Sequence, residues 1–311
     1  MFHDGWRRFR LGKSTRDVLT FEYNLEQGLS ELTTSVKSRT YRHSNYRTVE
    51  IADKKRRVLH VAVIRDRIIH RYLYDKLVRL YDKTFDVAVF SGRQGRGLEK
   101  ALHQAQTTLR RHPNVFVFRA DIRKAFNSVD HQLLLALLAR KLDPETYWLC
   151  QEVIRSFQST PGRGIPIGNL TSQIFSLIYL GELDRFVRRE LKPLAYLRYG
   201  DDFILFLPSR AAALAAQTQL ARFLARELKM SLNPQNTIIV KSCHGLRFLG
   251  HIITPGHLRV DPTTTAKIQK NASPHNIASF RKLHLSPEVK DALDRQILAQ
   301  IDPESALFLD F

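Results

Sequence analysis

Leu194-Ala195-Tyr196-Leu197-Arg198-Tyr199-Gly200-Asp201-Asp202-Phe203-Ile204-Leu205-Phe206-Leu207 is the stretch that decides the fold. Two apolar, aromatic-rich runs flank a Tyr-Gly-Asp-Asp turn, which predicts a β-hairpin. Gly200 relieves the steric limits on the turn backbone. Two adjacent carboxylates at the tip of an apolar hairpin are costly unless positive charge lies beside them. A divalent metal meets that need, because hard cations prefer carboxylate oxygens. The plain alternative is a solvated Gly-Asp-Asp surface turn, and both stay open on this stretch alone.

Around the hairpin, the charge balance narrows the partner. Lys plus Arg number 49 against 30 Asp plus Glu, a net +19 that points to a polyanion, most often nucleic acid. The alternative is a merely soluble basic protein. The apolar fraction of 43% is ordinary for a folded chain, and 311 residues suit two or three subdomains sharing a core. Cys150 and Cys243 are isolated and lack CxxC spacing. They predict a reducing, cytoplasmic setting and argue against a disulfide framework or structural zinc. No apolar run approaches the roughly 18 residues of a membrane span. The basic N-terminus lacks a hydrophobic signal core.

Upstream of the hairpin, residues 1–45 are expected to be helical and basic. Trp6-Arg7-Arg8-Phe9-Arg10 interleaves aromatics with arginines: either an RNA contact or a helix with an apolar stripe and a solvated face. Val49-Glu50-Ile51, then Asp53-Lys54-Lys55-Arg56-Arg57, then Val58 to Val63 predicts strand, basic turn and strand. Its cationic tip is either a triphosphate clamp or a solvated turn. Helical periodicity follows over 66–82. The loop Ser91-Gly92-Arg93-Gln94-Gly95-Arg96-Gly97 can let backbone amides approach phosphate, and a helix follows to Arg111. Val115 to Asp121 is a short apolar strand ending in a carboxylate, which serves as a metal ligand or as a helix N-cap.

Downstream of Asp121, helices are expected over 133–142 and from Asp143-Pro144-Glu145, with Pro at the first helical position. Thr160 to Gln173 is a Gly/Pro loop feeding an apolar helix whose N-terminus suits a base or phosphate. Beyond the hairpin come a helix over 209–229, a strand over 237–240, a strand pair or bend over 245–253 and a helix over 263–270. A last helix opens at Ser286-Pro287-Glu288.

The order of these segments resembles the motif series of reverse transcriptases over roughly residues 20–255. The series is the strand to Asp121 with Phe126 five residues on, Gly164-Ile165-Pro166-Ile167-Gly168, Tyr199-Gly200-Asp201-Asp202, and Phe248-Leu249-Gly250. The string Gly168-Asn169-Leu170-Thr171-Ser172-Gln173 is similar to the bacterial and phage branch that includes diversity-generating retroelements. The resemblance implies an α+β, right-hand polymerase fold whose antiparallel palm sheet carries the hairpin. Its implied divisions are an N-terminal helical basic segment (1–45), fingers (46–114), palm (115–252, with fingers elements interleaved at about 155–185) and a short helical thumb (253–311).

It also implies an RNA-directed DNA polymerase working by two-metal nucleotidyl transfer. Asp121, Asp201 and Asp202 are the implied catalytic residues, and the implied metal positions are Asp121, Ile122, Asp201 and Asp202. Two Mg2+ ions are expected, with Mn2+ as the alternative. Lys55 and Arg57 match positions that grip the triphosphate, and Phe126 matches a steric gate against a ribose 2′-hydroxyl; alone, Phe126 reads as a core aromatic. Ile167, Gly168 and Gln173 complete the nucleotide side, and Phe248, Leu249 and Gly250 the primer side. Retroviral enzymes carry Gln where this chain has Ile167, whose apolar surface has no directional preference, so low fidelity is expected.

Implied partners are template RNA, a DNA or RNA primer, dNTPs and the RNA–DNA heteroduplex, without a membrane. Two departures stand out. The place where the family commonly carries Lys reads Asn233-Pro234-Gln235-Asn236-Thr237, leaving Lys229, Lys241 or water to supply the proton for pyrophosphate. The segment after 255 is short and lacks the usual thumb signature, which implies help from a small basic accessory protein or from structured RNA. The expected role is the error-prone enzyme of a diversity-generating retroelement. A phage-defence reverse transcriptase and a catalytically silent RNA-binding scaffold are the alternatives, and three acids kept together argue against the scaffold.

Overall fold

The computed structural model describes residues 2–11, 13, 15–52, 56–273, 277, 280, 283, 285 and 287–298. The chain opens with helices α1 (His3–Arg10), α2 (Arg16–Tyr23) and α3 (Leu25–Lys37). The hairpin β1 (Arg47–Ala52) and β2 (Arg56–Val61) leads into α4 (Ile64–Tyr81) and α5 (Leu98–Arg111). Strand β3 (Phe116–Asp121) is followed by α6 (Ala125–Ser128), α7 (His131–Ala139), α8 (Pro144–Arg155) and α9 (Leu170–Phe186). Then come β4 (Ala195–Tyr199), β5 (Asp202–Leu207), α10 (Arg210–Glu227) and β6 (Ile238–Lys241). Short strands β7 (Leu246–Phe248), β8 (His251–Ile253) and β9 (Leu258–Val260) precede α11 (Pro262–Asn271) and α12 (Pro287–Leu298).

Local chemistry sets the helix starts. Asp130 caps α7 by accepting from the Leu133 N–H, and Asp143 caps α8 from the Thr146 N–H, with Pro144 in the first turn. Ser209 caps α10 through the Ala212 N–H. The aromatics of Trp6 to Arg10 turn inward: Trp6 and Phe9 are buried, and Trp6 packs on Phe21 with ring centres 5.2 Å apart. Arg10 pairs with Glu22 instead of facing a ligand. That segment is a core-facing stripe with a solvated side, not an aromatic platform for RNA.

The central sheet is antiparallel in the order β4-β5-β3-β6. Side chains alternate between its faces. Phe118, Ala120, Tyr196, Phe203 and Leu205 enter the main core, which includes residues of α4, α7, α8, α9 and α10. Val117, Leu197, Ile204 and Phe206 point the other way, onto α5 and the β7–β8 pair. Burial on both faces is why β5 reads as an unbroken apolar run. Phe203 and Phe206 are fully buried, each adding about 2–3 kcal/mol of apolar transfer.

The mixed α+β architecture and the antiparallel sheet bearing the hairpin are as expected. The strand pair expected over 245–253 is β7–β8, and β9 extends it to three strands. Leu258-Arg259-Val260 is too short for its pattern to mark it in the sequence. Val260, Ile268, Ala272, Leu285 and Leu293 form a separate small cluster beneath α11 and α12. Among the described residues no helix is long and apolar enough to cross a membrane.

Candidate active site

The register of the sheet builds the site. Asp121 closes β3 directly opposite Asp202 at the start of β5, and Tyr199 of β4 is also opposite Asp202. Only Gly200 and Asp201 remain for the turn. Gly200 has φ +67°, while Asp201 is not in the positive region. That pattern, with glycine first, belongs to a type II′ hairpin turn. A Cβ on Gly200 would come no nearer than 4.0 Å to Ser91, so backbone strain rather than crowding demands glycine. The turn is docked onto β3 through the Ile122 N–H, which donates to the Asp201 carbonyl at 3.2 Å.

The carboxylates are held differently. Oδ2 of Asp121 accepts from Nδ2 of Asn236 at 2.8 Å and of Asn233 at 3.3 Å, while its Oδ1 is buried with no hydrogen-bond partner. Both oxygens of Asp202 accept from Arg119, at 3.2 and 3.0 Å. Burial nevertheless pushes the Asp202 carboxyl above the ordinary aspartate range; Arg119 opposes this, and the charges of Asp121 and Asp201 add to it. The Ile122 side chain is buried, so any ligand role falls to its carbonyl oxygen.

Among the described residues no three acidic, His or Cys side chains form a metal-holding group by themselves. Asp202 is engaged by Arg119. The donors that remain still suit a hard divalent cation, since they are oxygens only and one is a buried acceptor without a partner.

Loops around the turn are joined by backbone hydrogen bonds. The Ile165 N–H donates to the Phe126 carbonyl at 2.9 Å, and the Gly164 N–H to the Val129 carbonyl at 2.8 Å. Phe126, in α6, therefore lies beside the loop that carries Ile167. Phe126 is half-buried and packs against the main core. The Ile167 carbonyl accepts from the His60 N–H at 3.1 Å, and Asn169 Nδ2 donates to the His60 carbonyl at 2.7 Å, tying this loop to β2. Gly168, at φ +101°, lies near Leu59, and Gln173 is exposed on the first turn of α9. Arg57 pairs with Ile51 in the β1–β2 hairpin; Lys55 lies outside the described residues.

On the other side, Phe248 is opposite His251, and the turn between them is Leu249-Gly250 with φ +50° and +76°. Phe248 is 1% exposed, so its side chain braces the turn, and any surface contact belongs to Leu249 and Gly250. Arg119 links this hairpin to the carboxylates by donating to the Arg247 carbonyl at 2.7 Å.

Both lysines considered as proton donors are accounted for elsewhere. Lys241 is opposite Phe116 at the far end of β3, five residues and about 16 Å from Asp121. Lys229 is ion-paired with Asp130 at 2.7 Å. Asn236 occupies the position beside Asp121, as an amide donor. Four contributors went unmarked in the sequence: Arg119, Ser91, Asp184 and Arg198. The available signals were Arg119 two residues before Asp121, hence on the same strand face, and a lone charge at 198 inside an apolar run; Asp184, between Glu182 and Arg185, carries no such signal.

Residues 48–253 match the family model described as reverse transcriptase (RNA-dependent DNA polymerase). The chain belongs to the reverse transcriptase family. As a member it is an RNA-directed DNA polymerase, a nucleotidyltransferase. This reverse transcriptase is 24% identical over 282 residues to Protein YkfC of Escherichia coli, covering 76% of the chain and 74% of that protein. It is 25% identical over 320 residues to the group II intron-encoded protein LtrA of Lactococcus lactis, covering 78% of the chain. It spans only about half of LtrA, 52%. Among solved structures, apo telomerase of Candida tropicalis matches with a TM-score of 0.55 at 12% identity, over 86% of the chain and 59% of the telomerase. Candida albicans telomerase with a fragment of telomeric RNA matches at 0.53 and 14%, over 89% and 59%. At those identities the likeness concerns the fold, which is the right-hand polymerase fold of the reverse transcriptase.

Proposed function

We propose that the chain copies a template RNA into cDNA by two-metal nucleotidyl transfer, with Asp121 and Asp201 as the principal ligands. The observation that carries this is the Asp121 carboxylate: one oxygen is pinned by two amides, the other is buried without a partner, and it lies across from the Asp201 turn. The Ile122 carbonyl completes the oxygen set, and Asp202 supports it from its Arg119 pair. Two divalent ions, Mg2+ or in its place Mn2+, activate the attacking 3′-oxygen and neutralise the leaving pyrophosphate when bound.

The remaining roles are those the family resemblance implies. Residues 46–114 act as fingers and 115–252 as palm, with 155–185 interleaved, while 253–311 is the thumb and 1–45 an N-terminal helical segment. Lys55 and Arg57 grip the triphosphate, and Phe126 excludes a 2′-hydroxyl. Ile167 and Gly168 lie against the templating pair, with Gln173 beside them, and Leu249 and Gly250 support the primer over Phe248. A net charge of +19 serves the backbone of a template–product duplex. Asn236 holds Asp121 and has no proton to give at neutral pH, so water protonates pyrophosphate. A reducing cytoplasm suits the free thiols of Cys150 and Cys243. The error-prone retroelement role is supported by residues 167–173, where an apolar Ile167 reads the template loosely.

Purified full-length protein, an RNA template with an annealed DNA primer, dNTPs and Mg2+ test this directly. Extension that stops without Mg2+, with substitutions dense across sequenced products, is the expected result. A protein that binds the duplex but never extends the primer under any divalent ion is a scaffold, and the proposal fails. Accurate products would remove the retroelement role alone.

A further inference from the structure

Gly200, the residue before Asp201, is tied at both of its backbone polar groups by side chains outside the turn. Its N–H donates to Ser91 Oγ at 2.7 Å. Its carbonyl accepts from Arg198 Nη1 at 2.8 Å.

Neither tie is incidental. Ser91 opens the glycine-rich loop that the sequence offers as a phosphate cradle, but Arg93 of that loop is committed to protein. It donates to the Asp82 side chain and to the carbonyls of Asp82 and Asp86. The segment before Ser91 runs along β4 like an added strand. The Arg198 N–H donates to the Ala88 carbonyl at 2.8 Å, and the Phe90 N–H to the Arg198 carbonyl at 2.9 Å. That pairing delivers Ser91 to Gly200.

Arg198 has no solvent exposure. Its Nε and Nη2 bind the two oxygens of Asp184 on α9 at 2.7 and 2.5 Å, and the Tyr196 hydroxyl donates to the same carboxylate at 2.6 Å. A buried ion pair adds little stability over a well-packed apolar pair, so stability alone does not explain a guanidinium here. The edge of Arg198 left over from Asp184 reaches the turn carbonyl.

We propose that Ser91 and the Asp184–Arg198 pair are positioning residues for catalysis: they fix the two peptide planes that flank Gly200 and thereby the direction of the Asp201 carboxylate. This rests on Asp201 being a metal ligand. A tether missing here shifts Asp201 without removing it, and misplacement by about 1 Å is enough to lower a rate about 100-fold.

The test uses full-length Ser91→Ala, Ser91→Thr and Arg198→Lys, with Asp201→Asn alongside. Single-turnover incorporation against dNTP concentration separates maximal rate from half-saturation. Mn2+ binding to the protein without nucleic acid, followed by electron paramagnetic resonance, gives a readout independent of turnover, and thermal melting reports the fold. Ser91→Ala is expected to lower the maximal rate about 10- to 100-fold and to weaken Mn2+ binding several-fold. Half-saturation and melting should stay unchanged, and Ser91→Thr should restore both losses. A wild-type rate and Mn2+ affinity in Ser91→Ala, beside an inactive Asp201→Asn, overturns the positioning role and leaves the site assignment intact. So does a loss that tracks melting and is not rescued by Thr. An active Asp201→Asn enzyme overturns the site assignment itself. Arg198→Lys keeps the charge and loses the two-edged geometry; if it folds, it should repeat the Ser91→Ala pattern, and a wild-type rate would count against the pair.

Discussion

The β4–β5 turn and the β7–β8 turn are each two residues long, and both connect to Arg119, yet they are built in opposite ways. Gly200-Asp201 has a glycine at its one left-handed position and is tied by Ser91, Arg198 and Ile122. Leu249-Gly250 is left-handed at both positions, with a leucine where such a backbone is disfavoured, and Gly250 is exposed. The Gly250 carbonyl accepts from the Asp261 N–H and the Leu249 carbonyl from His251 Nδ1, both at 2.9 Å. In the proposed assignment the first turn holds a carboxylate within a fraction of an ångström of reacting phosphate. The second would meet a primer that slides after every addition. The contrast then separates a part proposed to do chemistry from a part proposed to track product.

The clamp on the first turn should be the costliest to break. Asp184→Asn leaves the Arg198 guanidinium buried and uncompensated, and about 3–5 kcal/mol of stability should vanish in denaturant titration. A change below about 1 kcal/mol would mean that solvent reaches Arg198 and that the clamp is loose.

Arg119→Met comes next, because it frees both Asp202 oxygens from their donor. It should cost about 1–3 kcal/mol at neutral pH. Asp202 already holds its proton to higher pH when folded than an ordinary aspartate does. Such a group favours the fold at low pH and loses that contribution as pH rises from the unfolded value through the folded one. Removing Arg119 raises the folded value further, so the variant should lose stability more steeply than wild type as pH rises from 4. Parallel stability–pH curves for the two proteins would detach Asp202 from Arg119.

Glycine at the first turn should matter more than leucine at the second. Gly200→Ala forces a Cβ into φ +67° and should cost about 1–2 kcal/mol. Leu249→Gly relieves the φ +50° strain while removing a partly buried side chain, and the two should nearly cancel, within about 1 kcal/mol. Similar penalties for both, measured by urea unfolding, would erase the distinction between the turns.

Much of this was legible because the strands are buried on both faces. Apolar runs at 115–118 and 203–207 marked the central pair, and Asp121 and Asp202 at the ends of their strands marked the site. Register was not legible: that Asp121 is opposite Asp202, rather than Asp201, emerges only from the β3–β5 pairing. The loop at 91–97 reads as a phosphate cradle because glycine and arginine have the same spelling in either use. Its arginine contacts depend on Asp82 and Asp86, which sequence cannot bring near. Asn236 was visible as a departure, but its hydrogen bond to Asp121 was not, since the link spans 115 residues. Lys241 fails as a donor for a similar reason, its distance from the site being set by strand direction.

The central claim is that Asp201 does chemistry while affinity for nucleic acid lies elsewhere. Single-turnover dNMP incorporation on an RNA template at saturating Mg2+, measured for wild type and Asp201→Asn beside filter binding of the same primer–template, tests it most directly. The predicted result is a rate lowered by about a thousandfold or more, with duplex affinity within about twofold, because the carboxylate serves the metals and phosphate contacts supply binding. An Asp201→Asn enzyme that keeps its rate, or one that loses binding in proportion to rate, would contradict it.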